Sequence, residues 1–423
     1  MNPLVLTAFL LLVPYFWFLL REQRWWRLLL GSVVFRLIYG LLLVYYIFDP
    51  VLFGHSILIF LGLPALVYFY KKAFPKISPG ATATFIGVAY LVFDYLEARY
   101  TLIPSFITHS SIFFSSTGLV GLGRWLGWWG LGAFAVALTM LAALAFVSKQ
   151  PRRYVTAILF SLLFGALISQ FFLKQNAADY AARPHYLEVA LISVRPTFDS
   201  DPAQFQERLD TLAGELEPQR YDLVVFPEGL FDLEVADPAS SNVLKVYRNL
   251  ARYLHSSVLV NVNLQEGSAR YNSSILIDPS GELVEIYRKR DLIFVGEYSP
   301  GWLGPSEYDP GEAEAVFSVN GGQFASPICF ESHLPHRLNS WSRDSLDFLV
   351  NSSSNRWVPY GLADYLDLTF GLRRVYAAAY GLPILINGRN DYAGVILPDG
   401  SFDRVALQPG QEYTIYKGRV RIN

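Results

Sequence analysis

Long apolar runs dominate the first half of this sequence and leave few folds open to it. Six of them cover residues 3–20, 28–48, 51–70, 81–98, 125–147 and 154–173. A helix needs roughly 20 apolar residues to cross the ~30 Å hydrocarbon core of a bilayer. We therefore predict a multi-span α-helical membrane domain of about six spans over residues 1–178. The whole chain is 52% hydrophobic and only 17% charged, which excludes disorder and argues against a purely soluble protein.

The charged residues between the runs predict how this domain is oriented. Basic clusters follow the first run, follow the third and precede the last, at Arg21, Arg24 and Arg27, at Lys71, Lys72 and Lys76, and at Lys149, Arg152 and Arg153. Such clusters mark the cytoplasmic side of a membrane. The N-terminus and the segment near 101–124 then lie outside. Residues 1–175 carry a net charge of +9 and the remainder −11, so the acidic half is predicted to be extracytoplasmic.

The second half of the chain, over residues 184–418, reads as a layered α/β domain. Strand patterns such as HYLEVALISV and DLVVFPE alternate with helical patterns at 203–216, 240–254 and 364–380, and further strand signals include 282–287 and 324–330. Helices and strands that intermix in this way, with some adjacent hairpins, favour a mixed sheet covered by helices. Residues 419–423 are predicted to be a short tail.

Three chemically capable residues follow apolar strands in this half. Cys329 is the only cysteine, which excludes an intrachain disulfide and a cysteine-rich metal site, and it could be a nucleophile or a small core residue. Glu228 could be a desolvated general base or a carboxylate that caps a turn. Lys289 could stabilise an oxyanion or belong to a solvated run of charges. Each residue alone leaves both interpretations open.

The order of the three residues carries more information than any one of them. Glu228, Lys289 and Cys329 lie in FPEG, YRKRDL and PICFES, and here the sequence resembles the nitrilase, or carbon–nitrogen hydrolase, superfamily over roughly residues 185–418. The resemblance implies an αββα sandwich. It also implies a glutamate base, a lysine that stabilises the tetrahedral intermediate and a cysteine nucleophile, at these three positions.

A nitrilase-like domain behind membrane helices resembles one branch, the apolipoprotein N-acyltransferases. The stretch KRDLIFVGEY at 289–298 is similar to a motif of that branch and places Glu297 at a required glutamate. Cys329-Phe330-Glu331 is similar to its C-Y/F-E motif. The resemblance implies that Glu297, Phe330 and Glu331 support the three catalytic residues.

A third stretch resembles the branch only in part. NSSSNRW at 351–357 has the length of the motif N-x-x-N-D-x-W and keeps Asn351 and Trp357, which the resemblance implies are substrate-binding residues. Ser354 and Asn355 stand where the branch has Asn-Asp. The branch usually ends with one more membrane span, and this sequence ends without another apolar run.

The resemblance implies a specific reaction. A fatty acyl chain would pass from a membrane phospholipid to Cys329 as a thioester, and then to the N-terminal amine of a diacylglyceryl-cysteine lipoprotein. The expected setting is the bacterial inner membrane, with the catalytic domain on the periplasmic side. No cofactor or metal is expected, and the protein is expected to be a monomer. Nucleic acid is not an expected partner, because the basic residues form short membrane-flanking clusters.

Two other functions remain open at this point. One is a membrane-tethered nitrilase or amidase that hydrolyses a small amide, in which water resolves the thioester. The other is a catalytically inactive homologue that binds lipoproteins, which the altered NSSSNRW stretch would suit.

Overall fold

The computed structural model describes residues 3–44, 61–100, 118–198, 202–229, 234–235, 241–293, 296–299, 301, 304–334, 345–355 and 362–423. The chain forms two compact units. The first comprises Met1–Gln175 and Val358–Ala379, and the second comprises Asn176–Trp357 and Tyr380–Asn423. The sequence predicts residues 358–379 within the α/β domain, whereas their contacts group them with the first unit.

The first unit is helical. Its helices are α1 (Pro3–Arg21), α2 (Trp25–Val44), α3 (Leu63–Ala73), α4 (Pro79–Tyr100), α5 (Leu122–Val147) and α6 (Pro151–Ala181), the last of which continues into the second unit. Within the described part of the chain, three helical segments are long and apolar enough to cross a membrane: Pro79–Leu96, Leu122–Val147 and Pro151–Ala181. Shorter apolar segments are Leu11–Arg21 and Trp25–Phe35. A helical first half with several apolar spans is therefore confirmed.

Two of the predicted membrane features fall largely outside the described residues. The predicted span 51–70 is described only from residue 61, and the predicted outer segment 101–124 only from residue 118. The last three predicted spans, 81–98, 125–147 and 154–173, lie along α4, α5 and α6.

A lysine closes the end of the first helix. The Lys71 Nζ atom donates hydrogen bonds to the carbonyl oxygens of Leu19 (2.6 Å), Leu20 (2.9 Å) and Glu22 (2.8 Å). The last carbonyls of a helix lack partners within it and carry the negative end of its dipole, so a cation is stabilising there. This contact fixes the end of α3 against the end of α1.

Helix α6 presents an apolar face outward. Its exposed side chains recur every three or four residues: Leu159, Phe160, Leu163, Phe164, Leu167 and Phe171. An exposed apolar stripe of this size is unfavourable in water and suits contact with lipid.

The second unit is built on one mixed sheet. Its strands are β1 (His185–Val194), β2 (Leu223–Val225), β3 (Glu234–Val235), β4 (Ser257–Glu266), β5 (Ala269–Ile277), β6 (Leu283–Arg288), β7 (Phe317–Val319), β8 (Gly322–Ala325), β9 (Phe348–Ser354), β10 (Ile384–Arg389), β11 (Ala393–Ile396), β12 (Phe402–Val405) and β13 (Tyr413–Ile422). The main order is β6-β5-β4-β2-β1-β10-β9-β8-β7. The inner pairs from β4 through β8 are parallel, and β5 and β6 continue antiparallel. The predicted α/β sandwich with a mixed sheet is confirmed.

The end of the chain belongs to this sheet. Strand β13 pairs antiparallel with β1, from Val194 opposite Tyr413 to His185 opposite Ile422. Residues 419–422, which the sequence analysis assigned to a short tail, therefore continue a strand.

The helices described here are α7 (Pro202–Glu215), α8 (Asn242–Leu254) and, largely within the first unit, α9 (Leu362–Tyr380). Side chains from α7 and α8 join the apolar side chains of β1, β2, β4 and β5 in one buried core. Ser241 caps α8, because its side chain accepts a hydrogen bond from the Leu244 N–H at 3.4 Å. This core supports the strand ends from which the candidate site is built.

Candidate active site

Glu228, Lys289 and Cys329 meet in the interior of the second unit. Glu228 follows β2, Lys289 follows β6 and Cys329 lies four residues beyond β8. Their exposed fractions are 5%, 0% and 5%. The structure thus brings together the three residues that the sequence analysis selected, and it buries all of them.

Glu228 is held through one of its two carboxylate oxygens. Its Oε1 atom accepts a hydrogen bond from Asn272 Nδ2 at 2.8 Å and lies 3.5 Å from Lys289 Nζ. Its Oε2 atom is buried and has no hydrogen bond of ordinary geometry with the residues that the structure describes, although the Cys329 thiol lies close enough to act on this carboxyl group. Burial raises the pKa of Glu228, against which Lys289, Asn272 and the Cys329 thiol favour the charged form. A carboxyl group with a raised pKa is suited to accept a proton from a neighbouring group.

Lys289 lies between two carboxylates. Its Nζ atom donates to Glu297 Oε1 at 2.8 Å and, more weakly, to Glu228 Oε1 at 3.5 Å. Burial acts to lower the pKa of Lys289, but the charges of Glu297 and Glu228 outweigh it and raise that pKa well above its ordinary value. A lysine ammonium has three N–H donors, so this residue remains a cation that can serve a third acceptor.

Glu297 is fixed by the loop in which it lies. Its Oε2 atom accepts a hydrogen bond from the Ile293 N–H at 2.9 Å, while its Oε1 atom accepts from Lys289 and from Asn272 Nδ2 at 3.1 Å. The structure places Glu297 in direct contact with Lys289, as the resemblance implied for a supporting residue.

Cys329 occupies a strained turn. The predicted strand over 324–330 is wrong beyond Ala325, where β8 ends, and Cys329 begins a short 3₁₀ helix, Cys329–His333. Pro327 lacks the N–H that a continuing ladder would need. Cys329 has a φ of +52°, a conformation that costs a non-glycine residue energy and clusters at functional sites. The turn therefore has to be held by its surroundings.

Asn351 holds this turn from the next strand. Its Nδ2 atom donates hydrogen bonds to the carbonyl oxygens of Pro327 and Cys329, each at 2.9 Å, and its Oδ1 atom accepts from Ser332 Oγ at 3.0 Å. Asn351 is fully buried. The resemblance implies a substrate-binding role for Asn351, and its hydrogen bonds here join it to the main chain around the thiol and to the Ser332 hydroxyl.

Glu331 joins the lysine loop to the cysteine turn. Its Oε1 atom accepts hydrogen bonds from Tyr287 Oη (2.9 Å) and from the N–H groups of Arg290 (2.8 Å) and Asp291 (3.0 Å). Its Oε2 atom accepts from the Ile328 N–H at 2.9 Å. One buried carboxyl group therefore binds the chain just after Lys289 and just before Cys329.

The buried carboxyl group of Glu331 should make a pH-dependent contribution to the free energy of unfolding. Burial raises the pKa of Glu331 to about 7 from its ordinary value of 4.5. Below 4.5 the contribution is fully present, and it is lost as the pH rises to about 7, because the folded chain holds the extra proton in that window. At roughly 1.4 kcal/mol per unit, the loss is about 3 kcal/mol.

We expect Glu331→Gln, which cannot titrate, to gain that amount relative to the wild type between pH 4.5 and 7. Denaturant unfolding of the full chain in detergent, repeated across this range, measures the difference. Parallel stability curves for the two proteins would contradict the assignment.

The remaining predicted residues have different outcomes. The Phe330 ring lies under the Lys289 ammonium, with Nζ 5.3 Å from the ring centroid, a distance that allows a cation–π contact. Trp357 lies outside the described residues. Among the described residues, His, Cys, Asp and Glu side chains form no group of three or more that could hold a metal ion.

Two asparagines of the site are not among the candidates that the sequence motifs indicate. Asn272 on β5 donates to both Glu228 and Glu297, and Asn261 on β4 donates to Asn272. Each is only 4% exposed. Buried amides inside strands are costly unless they are hydrogen-bonded. The asparagines in the NVN stretch of β4 and the YNSS stretch of β5 interrupt otherwise apolar strands, and this pattern could have identified them as candidate site residues.

The electrostatics favour a thiol that is neutral at rest. Burial, followed by the charge of Glu228, raises the pKa of Cys329, although Lys289 and the main-chain N–H of Ser354 favour the thiolate. The cysteine can therefore become nucleophilic only as its proton leaves, and Glu228 is the carboxylate beside it. The arrangement can attack a carbonyl carbon with general-base assistance while Lys289 faces the developing negative charge.

Comparison with known proteins identifies the family to which the second half of the chain belongs. The sequence model described as carbon–nitrogen hydrolase matches residues 188–401, which is about half of the chain and contains Glu228, Lys289 and Cys329. This protein belongs to the carbon–nitrogen hydrolase family. The match ends at residue 401, and the same sheet continues beyond it with β12 and β13.

The match to one relative is long enough to extend into the helical half of the chain. The chain is 22% identical over 399 residues to the apolipoprotein N-acyltransferase of Chlorobaculum tepidum, covering 83% of this chain and 74% of the relative. It is 25% identical over 242 residues to that of Aquifex aeolicus, covering 53% of this chain and 51%, about half, of the relative. Among solved structures, a carbon–nitrogen hydrolase superfamily protein from Xanthomonas campestris is 18% identical with a TM-score of 0.45, covering 56% of this chain and 91% of that one.

Proposed function

We propose that this carbon–nitrogen hydrolase transfers an acyl chain from a membrane phospholipid to the N-terminal amine of a diacylglyceryl-cysteine lipoprotein, through a thioester on Cys329. The observation that carries the proposal is the buried contact of Glu228, Lys289 and Cys329 in a chain that also has helices long enough to span a bilayer. The names of its relatives support the lipoprotein acceptor.

The first half of the reaction loads the thiol. Glu228 takes the proton of Cys329 through its Oε2 atom as the sulfur attacks the ester carbonyl carbon of the phospholipid. The carbonyl oxygen becomes an oxyanion, which the Lys289 ammonium stabilises. The ester C–O bond then breaks, the leaving alkoxide of the lyso-phospholipid takes the proton from Glu228, and the acyl chain remains on sulfur as a thioester.

The second half delivers the acyl chain. The α-amino group of the lipoprotein attacks the thioester carbonyl, and Glu228 accepts the proton that the nitrogen loses. Collapse of the oxyanion breaks the C–S bond, forms the amide and returns the proton to the Cys329 sulfur. Removal of one oxyanion donor from such a site typically slows the reaction about 10²- to 10³-fold.

The proposed substrates account for the attachment of this catalytic domain to a membrane unit. Both substrates carry fatty chains and reside in a bilayer, and the apolar face of α6 suits contact with lipid. The basic loops after residues 20 and 70 favour a cytoplasmic location for those loops. This orientation places the second unit on the periplasmic side of a bacterial inner membrane, where the protein would act as a monomer without a cofactor.

The full chain in phosphatidylethanolamine nanodiscs tests the proposal. Intact-protein mass spectrometry should show a fatty acyl adduct on Cys329, and addition of a diacylated lipopeptide should remove the adduct and yield triacylated peptide. A wild-type protein that never carries the adduct would exclude the proposed reaction. Release of ammonia from a small amide, without an acyl adduct, would instead indicate a membrane-tethered amidase.

A further inference from the structure

Asn272 contacts both carboxylates of the site at once. Its Nδ2 atom donates to Glu228 Oε1 at 2.8 Å and to Glu297 Oε1 at 3.1 Å. An amide –NH₂ has two N–H donors and no acceptor, so each carboxylate can receive one of them. The carboxylates of Glu228 and Glu297 share the neutral Asn272 amide as a donor, and both also contact the Lys289 cation. These contacts reduce the repulsion between the two carboxylates.

The orientation of this amide is itself fixed. Asn261 Nδ2 donates to Asn272 Oδ1 at 2.8 Å, and the N–H of Gly229 donates to Asn261 Oδ1 at 3.1 Å. The hydrogen bonds therefore form a closed path that starts at the main chain of Gly229 and ends at the side chain of Glu228. Because Asn261 satisfies the Oδ1 atom, the –NH₂ group of Asn272 must face the carboxylates.

These hydrogen bonds determine which carboxylate oxygen of Glu228 is available to accept a proton. Asn272 and Lys289 both occupy Oε1, whereas Oε2 has no partner among the described residues. We infer that Asn272 is a positioning residue that aims the Oε2 atom of Glu228 at the Cys329 thiol and keeps Glu228 charged beside Glu297. The inference rests on the proposed role of Glu228 as the base.

The charges around Glu228 determine the expected pH effect. Lys289, Glu297 and Cys329 act directly on Glu228, and the charge of Glu331 acts on Lys289. Asn272 is a neutral hydrogen-bond donor that favours the Glu228 carboxylate, so its loss raises the pKa of Glu228 further. The base then becomes available only at higher pH.

Alkylation of Cys329 by iodoacetamide measures this directly, because Cys329 is the only cysteine in the chain. The full chain in detergent is alkylated from pH 5 to pH 10, and the rate is read by mass spectrometry. For Asn272→Leu we expect the midpoint of the pH–rate profile to rise by about one unit and the rate at pH 7 to fall about tenfold. A folded variant whose profile superimposes on that of the wild type would overturn the inference.

Asn263→Leu is the matched control. Asn263 lies opposite Asn272 in the sheet register and is equally buried, but its Oδ1 atom accepts a hydrogen bond from Tyr308 Oη at 3.0 Å instead of touching a carboxylate. We expect its profile to match that of the wild type. An equal shift in Asn263→Leu would mean that any lost buried amide disturbs the site, and would also overturn the inference.

A second variant covers the case in which Asn272→Leu does not fold. Asn261→Leu removes the amide that orients Asn272, together with the acceptor of the Gly229 N–H, but leaves the Asn272 amide in place. We therefore expect a shift in the same direction and smaller than one unit, and an unchanged profile counts against the inference. The assay contains no lipid and no lipopeptide. If alkylation shifts as expected but no acyl chain is ever transferred, the proposed function fails while the positioning role of Asn272 stands.

Discussion

Cys329→Ala is expected to abolish acyl-enzyme formation and to reduce acyl transfer at least about 10³-fold, because the side chain that carries the acyl group is gone. The chain has no other cysteine that could take over the reaction. The substitution removes only one buried sulfur atom, so the melting temperature should stay close to that of the wild type while the activity is lost. Mass spectrometry of the intact protein with phosphatidylethanolamine, followed by quantification of triacylated lipopeptide, measures both losses.

Ser326→Ala is a suitable control for that experiment. Ser326 belongs to the same stretch, is buried, and donates a hydrogen bond of 3.4 Å to Ser274 Oγ rather than to Glu228, Lys289 or Cys329. The variant should keep its acyl adduct and transfer at a rate near that of the wild type. Transfer at the wild-type rate by Cys329→Ala would exclude a thioester on this residue.

Lys289→Met should impair both catalysis and stability. Loss of the cation that faces the oxyanion is expected to slow adduct formation about 10²- to 10³-fold. The same change leaves the buried Glu228 and the partly buried Glu297 without this positive partner, and breaking a buried ion pair in this way typically costs about 3–5 kcal/mol. The destabilisation should grow as the pH rises, because the two carboxyl groups must then ionise without Lys289.

Arg288→Met tests whether the effect is specific to the buried cation. Arg288 is the preceding residue and pairs with Glu266 at the surface, with side chains that are 32% and 45% exposed. An exposed pair of this kind contributes about 1 kcal/mol or less, so activity and melting temperature should remain close to those of the wild type. Lys289→Met with wild-type stability at pH 8 would show that the two carboxylates do not depend on Lys289.

The sequence was sufficient to predict that Glu228, Lys289 and Cys329 come together, for a physical reason. Lys289 directly follows an apolar strand, Glu228 and Cys329 follow others within three or four residues, and polar residues in such positions emerge at the edge of a sheet, where sites form. Their order in the chain then supplied the resemblance to one enzyme superfamily. The helical and α/β halves were equally predictable, because long apolar runs and short alternating strands differ in period and length.

Other features depend on contacts that no local pattern encodes. Asn272 reaches Glu228 and Asn261 only because β5 pairs with β4 in one particular register, and register is a property of two strands. Strand β13 mixes charged and apolar residues in YTIYKGRVRI, so its membership of the sheet became visible only through its pairing with β1. The turn at Cys329 depends likewise on Asn351 from a neighbouring strand.

The hydrogen bonds of Glu331 to two main-chain segments bear on how the substrate specificity of the protein can evolve. One carboxyl group binds the main chain after Lys289 and the main chain before Cys329, so it links the segment that carries the cation to the segment that carries the sulfur. Their separation is then established during folding, before any substrate binds. Under the proposed function, segments that contact the acyl chain or the peptide can therefore diverge while the reacting atoms keep the same spacing.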